Sequence, residues 1–209
     1  MAQKVLIINS NSDYDSMFED MNWEVLAGCF PSRLPDLIQF TGGEDVSPCL
    51  YYQKSHYSTK SCHKRDLVET FVFKWGLSKD IPMAGICRGG QFLNVMCGGN
   101  MWQDVDRHEE AHLAEDFKTK RVFIVSSTHH QVMIPCKDAQ IVLTAYESTK
   151  KERYLPGGKL LRIDNCSDYD IEAIHYKREK VFCFQPHPEF SSSEELRVIY
   201  FEYMNNLIL

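Results

Sequence analysis

The sequence predicts an α/β fold: a mostly parallel central sheet flanked by helices, with an additional antiparallel strand region in the second half. Three observations carry this. Short, continuously apolar runs recur along the chain, as strands buried on both faces require. In the first half they alternate with stretches of helical spacing, the order of a parallel sheet. In the second half the strand-like runs follow one another closely, which suits antiparallel pairing at one edge.

Taken in order, Lys4 to Ile8 reads as a buried first strand. Leu37 to Phe40 reads as a second, ending abruptly at Thr41-Gly42-Gly43. Arg65 to Lys79 has apolar residues at 67, 68, 71, 72 and 75, which is helical spacing. Ile81 to Ile86 is another buried strand. Phe92 to Cys97 continues as a helix, and Gly98-Gly99 provides its C-terminal stop. Further strands are predicted at Arg121 to Val125, Ile141 to Ala145, Asp170 to Tyr176 and Val181 to Phe184. YLPGGKLLRID predicts a turn into an exposed hairpin or loop. Ser192 and Glu195 have the spacing of a capping box ahead of a last helix, apolar at 196, 199, 200, 203 and 207.

A chain of 209 residues fits a single domain, 1–209, able to bury a sizeable core. Its net charge of −6, with no basic run, gives no electrostatic reason to expect nucleic acid as a partner. The N-terminal apolar run is short for a secretory signal, and no apolar stretch approaches the ~20 residues that span a bilayer, so no membrane partner is expected. The eight cysteines, at 29, 49, 62, 87, 97, 136, 166 and 183, form no C-x-x-C pair. That excludes a zinc ribbon and a disulfide framework, and a reduced, cytoplasmic compartment is the expectation.

Three stretches carry chemistry. Gly85-Ile86-Cys87-Arg88-Gly89 has the form G-x-nucleophile-x-G after a buried strand and before a helix. That is the setting of a nucleophile elbow, where a helix N-terminus favours the thiolate and offers free backbone N–H groups. A structural cysteine in a glycine-rich strand end would look the same. FCFQPHPEF places His187 and Glu189 two residues apart after a strand, so both can face one side: a base and the acceptor that orients it. Two prolines fix the backbone around that histidine; a surface turn is the plainer alternative. QFTGGEDVSP puts a glycine pair straight after a strand, where backbone N–H groups can approach an oxyanion, or where the chain merely turns.

HEEAH, residues 108–112, matches the H-E-x-x-H pattern that holds zinc on a helix. Its flanks lack the apolar stripe of a buried zinc helix, and no acid lies between Asp116 and Asp138 to serve as a later ligand. The expectation is a solvated, charged loop or helix and no metal. His129 and His130, after a predicted strand, line the same pocket as Cys87 or form a polar turn; His56, His63 and His175 carry no assignment.

The ordered set FTGGEDVSP, GICRGGQFLNV, GGNMWQDV, STHHQ, DIEAI and QPHPE resembles the class I glutamine amidotransferase superfamily, and within it the stand-alone γ-glutamyl hydrolases of the peptidase C26 group. The resemblance runs from about Phe40 to Phe190. It implies a flavodoxin-like fold and a Cys87–His187–Glu189 triad. It also implies an oxyanion hole from the backbone N–H groups of Gly43 and Arg88, and a substrate contact from Gln91; His129, if it lines the pocket, is a further candidate substrate contact. It implies cleavage of a γ-glutamyl amide through a glutamyl thioester without a cofactor. The substrate is then a small γ-glutamyl compound, or glutamine if the chain delivers ammonia to a separate ligase or synthetase. The sequence departs from the group's pattern at Ser126, where asparagine is common, at Pro186, where an aromatic residue is common, and in a short stretch between Val105 and Arg121.

Overall fold

The computed structural model describes residues 2–28, 31 and 33–209. The first part of the chain forms β1 (Lys4–Ile8), α1 (Ser12–Asp20), β2 (Glu24–Leu26) and β3 (Leu37–Phe40), then a 3₁₀ turn at Pro48–Tyr51 and α2 (His63–Ser78). The middle holds β4 (Met83–Ile86), α3 (Arg88–Met96), β5 (Asn100–Trp102), β6 (Asp104–Val105), β7 (His112–Asp116), β8 (Val122–Val125) and β9 (Val132–Ile134). Then come β10 (Gln140–Ala145), β11 (Lys150–Tyr154), β12 (Leu160–Asp164), β13 (Asp170–Tyr176), β14 (Val181–Phe184) and α4 (Glu194–Leu207).

A nine-stranded sheet runs in the order β2-β1-β3-β4-β14-β13-β10-β7-β8. From β2 to β14 every pairing is parallel; from β14 to β8 every pairing is antiparallel. The expected mixed architecture is therefore present. Both faces of its parallel half are buried, which explains the unbroken apolar runs. Val5 and Ile7 of β1, with Phe182 and Phe184 of β14, join α1 and α4 on one face. Leu6, Ile8 and Cys183 pack on the other, against Val72 and Phe73 of α2 and Phe92 and Leu93 of α3. The period-two alternation of strand side chains produces this split. YLPGGKLLRID forms the turn of the β11–β12 hairpin, which pairs with β6 outside the main sheet.

Some expectations need correcting. The helix at 63–78 is present, but Leu67, Val68 and Phe71 point outward, Phe71 being 72% exposed. The buried side of α2 carries Asp66 and Glu69 beside Val72, Phe73 and Gly76. Those two acids are held inside because Arg88 pairs with both, and buried charges need such partners. At α4 the N-cap is Ser193, and no side chain caps the backbone, so the Ser192–Glu195 capping box does not form. α1 was not anticipated: it has few apolar residues (Tyr14, Met17, Phe18), and it begins where Asn11 Oδ1 accepts from the N–H groups of Asp13 and Tyr14. Cys29 lies outside the described residues. Among the described residues no helix is long and apolar enough to cross a membrane.

Candidate active site

β3, β4 and β14 are neighbours and parallel, so their C-terminal ends lie side by side: Phe40 opposite Gly85, and Phe184 opposite Ile86. Each of the three chemistry-bearing stretches leaves one of these ends. Thr41-Gly42-Gly43 follows β3, Cys87 follows β4, and Gln185-Pro186-His187-Pro188-Glu189 follows β14. Ligand chemistry in such sheets gathers at this edge.

Cys87 turns from strand to helix with φ 50° and ψ −115°, a left-handed conformation strained for any side chain. Its N–H donates to Phe184 O at 2.7 Å, and its own carbonyl accepts from Gln91 N–H at 3.0 Å. The flanking glycines are required by close approach: a Cβ on Gly85 would lie 2.3 Å from the Gly89 carbonyl carbon, and one on Gly89 2.3 Å from Phe40 O. The elbow reading of the sequence is thus realised in the backbone.

His187 is almost fully buried and stacks on Phe190, ring centroids 4.5 Å apart. Its Nδ1 is 2.7 Å from Glu189 Oε1, and its Nε2 is 2.9 Å from Thr128 Oγ1. Gly42 measures its distance from the elbow: a Cβ there would be 3.4 Å from His187 Cε1 and 3.7 Å from Cys87 Cβ. Burial pulls the imidazole down. Hydrogen bonding to Cys87 and Glu189, and their charges, outweigh that and push it up to about 10. Ser126 fills the place of the usual asparagine by gripping the His187 backbone twice: its Oγ donates to His187 O and accepts from His187 N–H, each at 3.0 Å.

The sequence reading missed Tyr14. Its hydroxyl donates to Glu189 Oε1 at 2.8 Å and accepts from Gly42 N–H at 2.9 Å, linking the loop after β3 to the carboxylate after β14. Burial first, and then the charge of Glu189, push this phenol far up, so it stays a donor. No motif spacing marks Tyr14, because it reaches the site from α1.

Cys87, Gly43 and Gln91 line one cavity of about 530 Å³ with Thr128, His129, His130 and Gln131. Gly43 has φ +141°, a backbone conformation strained for any residue with a side chain, so the turn favours glycine. Arg88 contributes its main chain at the elbow, while its side chain runs the other way, buried between Asp66 and Glu69. Gln91 is buried, its Nε2 donating to Gln131 O and Gln185 Oε1, both at 3.2 Å. His129 lines the cavity wall, with Nδ1 2.9 Å from Gln131 O and Nε2 3.9 Å from Glu172 Oε2. His130, between Asp45 and Asp104, is the more exposed of the pair. HEEAH is a loop that opens β7, not a helix: residues 109–111 are exposed as expected of a solvated segment, but His108 and His112 turn inward and are buried.

The family model of peptidase C26 matches residues 32–189. The glutamine amidotransferase-like protein YvdE of Lactococcus lactis subsp. lactis is 30% identical over 177 residues, covering 75% of this chain and 66% of that protein. The carbamoyl phosphate synthase arginine-specific small chain of Bacillus subtilis is 31% identical over 129 residues, covering 61% of this chain and 32% of the relative. The chain thus spans two-thirds or less of these relatives. Among solved structures, a glutamine amidotransferase from Thermotoga maritima superposes with a TM-score of 0.62 at 19% identity, over 99% of this chain and 84% of that one.

Proposed function

Because the chain belongs to the peptidase C26 family of the class I glutamine amidotransferase superfamily, we propose that it hydrolyses γ-glutamyl amide bonds with a Cys87–His187–Glu189 triad. One observation carries the reading: three adjacent parallel strands deliver a glycine turn, a strained elbow cysteine and a buried His–Glu pair to a single edge. A thiol acquires its nucleophilic form from a base in reach, and the base keeps its orientation from a third group.

In this reading the Cys87 thiolate, its proton held by His187, attacks the side-chain carbonyl carbon of the γ-glutamyl group. The S–C bond forms, and the oxygen takes the negative charge. The N–H groups of Gly43 and Arg88 receive it, each donor worth about 3 kcal/mol. The intermediate collapses as the C–N bond breaks, and His187 gives its proton to the departing amine. Water, deprotonated by His187, then attacks the glutamyl thioester, releasing glutamate and restoring the thiolate. Glu189, with Tyr14 bonded to the same oxygen, holds the imidazole through both half-reactions. The chain acts as one domain on a small γ-glutamyl substrate, in the cytoplasm. Glu44, Asp45, Asp104 and Glu109 line the cavity against Lys60, which favours a leaving amine with positive charge over one with a carboxylate.

A screen of γ-glutamyl amides read by glutamate release tests this. The parent chain is expected to turn over at least one, and Cys87→Ala to lose on the order of 10⁴-fold or more. Equal rates for Cys87→Ala and the parent overturn the triad. The likeness to a carbamoyl phosphate synthase small chain supports a second reading: a glutaminase that hands ammonia to a separate ligase or synthetase. Strong stimulation of glutamine cleavage by a co-purifying acceptor enzyme would select it.

A further inference from the structure

On the far side of His129 from the cavity, three histidines converge on one buried glutamate. His108 Nδ1 and His112 Nε2 each lie 3.5 Å from Glu172 Oε1, and His129 Nε2 lies 3.9 Å from Glu172 Oε2. His108 and Glu172 are wholly buried, His112 and His129 nearly so. These separations exceed the roughly 3.2 Å limit of a good N–H···O hydrogen bond. Accordingly His108 Nδ1, His112 Nε2, His129 Nε2 and both Glu172 oxygens have no hydrogen-bond partner.

The far nitrogen of each ring explains why. His108 Nε2 is 3.0 Å from Asp170 Oδ2, a carboxylate oxygen that also accepts from Ser148 N–H. His112 Nδ1 meets Glu110 O at 3.2 Å, and His129 Nδ1 meets Gln131 O at 2.9 Å. Carbonyls and carboxylates only accept, so each ring donates its proton outward and turns a lone pair toward Glu172. Three lone pairs and a carboxylate then face each other in a buried space, an arrangement that repels itself unless a cation lies between them.

We propose that His108 Nδ1, His112 Nε2 and Glu172 Oε1 bind a divalent first-row metal ion of the zinc kind, with His129 beside them on the second carboxylate oxygen. Two donor atoms each about 2.1 Å from a tetrahedral ion lie roughly 3.4 Å apart, which is the spacing of both histidines from Glu172 Oε1. The three atoms lie within 4.8 Å of one another. Imidazole nitrogens with a carboxylate are a donor set that suits zinc and its neighbours. Ligating histidines ordinarily pass their second N–H to a carboxylate or carbonyl, as all three do here. A cavity of about 410 Å³ lined by Glu109, Glu110, Glu147, Arg107 and His112 gives an ion a route from solvent. A second group, His56, Asp104 and Glu152, lacks this signature: His56 Nε2 is 3.1 Å from Glu152 Oε2, an ordinary hydrogen bond.

Such an ion would tie together β13, the start of β7 and the segment 126–131. That segment carries Thr128 and Gln131, which touch His187 and Gln91. It would therefore brace one wall of the Cys87 cavity without meeting substrate.

The test uses the full chain purified without a polyhistidine tag, stripped by chelating resin, then incubated with Zn²⁺ and desalted. Elemental analysis is expected to find about one zinc per chain, with a higher Tm than the stripped protein. His112→Gln and Glu172→Gln should lower zinc affinity tenfold or more. X-ray absorption on the loaded wild-type chain guards against variants that fold poorly. It should show the multiple scattering of at least two imidazoles. Stripped protein that takes up neither Zn²⁺ nor Mn²⁺, Fe²⁺ or Ni²⁺ overturns the site, as does a shell without imidazole. So do well-folded variants that bind zinc as the parent does: a proton on His112 would then be the cation.

Discussion

Two glutamates in this molecule face histidines, and the geometry differs. Glu189 meets one imidazole at 2.7 Å, with Tyr14 on the same oxygen. Glu172 faces three imidazoles at 3.5 to 3.9 Å, with a close hydrogen bond to none of them. The first is a closed hydrogen-bond chain, in which the carboxylate fixes a ring proton and thereby a basic nitrogen. The second is open, each ring making its close polar contact through the nitrogen that faces away from Glu172. Burial is nearly the same for both, so burial alone does not tell the proposed catalytic pair from the proposed ligand set. The direction of the second N–H does.

Paired substitutions at the two glutamates break or sustain this contrast most sharply. Glu189→Gln places an amide where His187 needs an acceptor for its ring proton. Turnover of the best γ-glutamyl amide should fall on the order of 10³-fold or more. Zinc uptake by the stripped protein should match the parent. Glu172→Gln should show the converse in zinc uptake. If Glu189→Gln lost zinc as Glu172→Gln does, the two groups would be one coupled system and the contrast would fail.

Tyr14 gives a smaller effect on the closed chain. Tyr14→Phe removes a donor from Glu189 Oε1 and leaves Gly42 N–H unpaired. A lost hydrogen bond to a charged group is worth about 1.5–3 kcal/mol, so kcat/KM should drop on the order of ten- to a hundredfold. An unchanged kcat/KM would make Tyr14 a packing residue.

The two groups also differ in how far the sequence announces them. Cys87, His187 and Glu189 are legible because strand, turn and helix signals flank them within a few residues. Adjacency of β3, β4 and β14 then follows from parallel pairing. His108, His112, His129 and Glu172 lie on β7, on β13 and in the loops around them, in the antiparallel half of the sheet. H-E-x-x-H spacing suggests helical ligands, and the chain is a loop and a strand there. The acid that completes the group comes from β13, with β10 between it and β7 in the sheet, so no search near Asp116 to Asp138 could find it. The exposed apolar positions of α2 have a related cause: Asp66 and Glu69 take the buried side because Arg88 waits there, and periodicity of apolar residues cannot register a buried ion pair.

The smallest effect in this set is on stability, and it belongs to the closed pair. His187 titrates at about 10 in the folded chain, against an ordinary value of 6.5. The folded state thus holds a proton that the unfolded state releases first. The stabilisation is complete below about pH 6.5, declines as pH rises, and is gone once pH passes about 10. The Tm advantage of the parent over His187→Gln should therefore shrink between pH 6.5 and 10, measured by thermal unfolding in matched ionic strength. A Tm difference that stays level or grows across it would mean that Glu189 and Cys87 do not hold a proton on His187, and the closed chain would lose its defining feature.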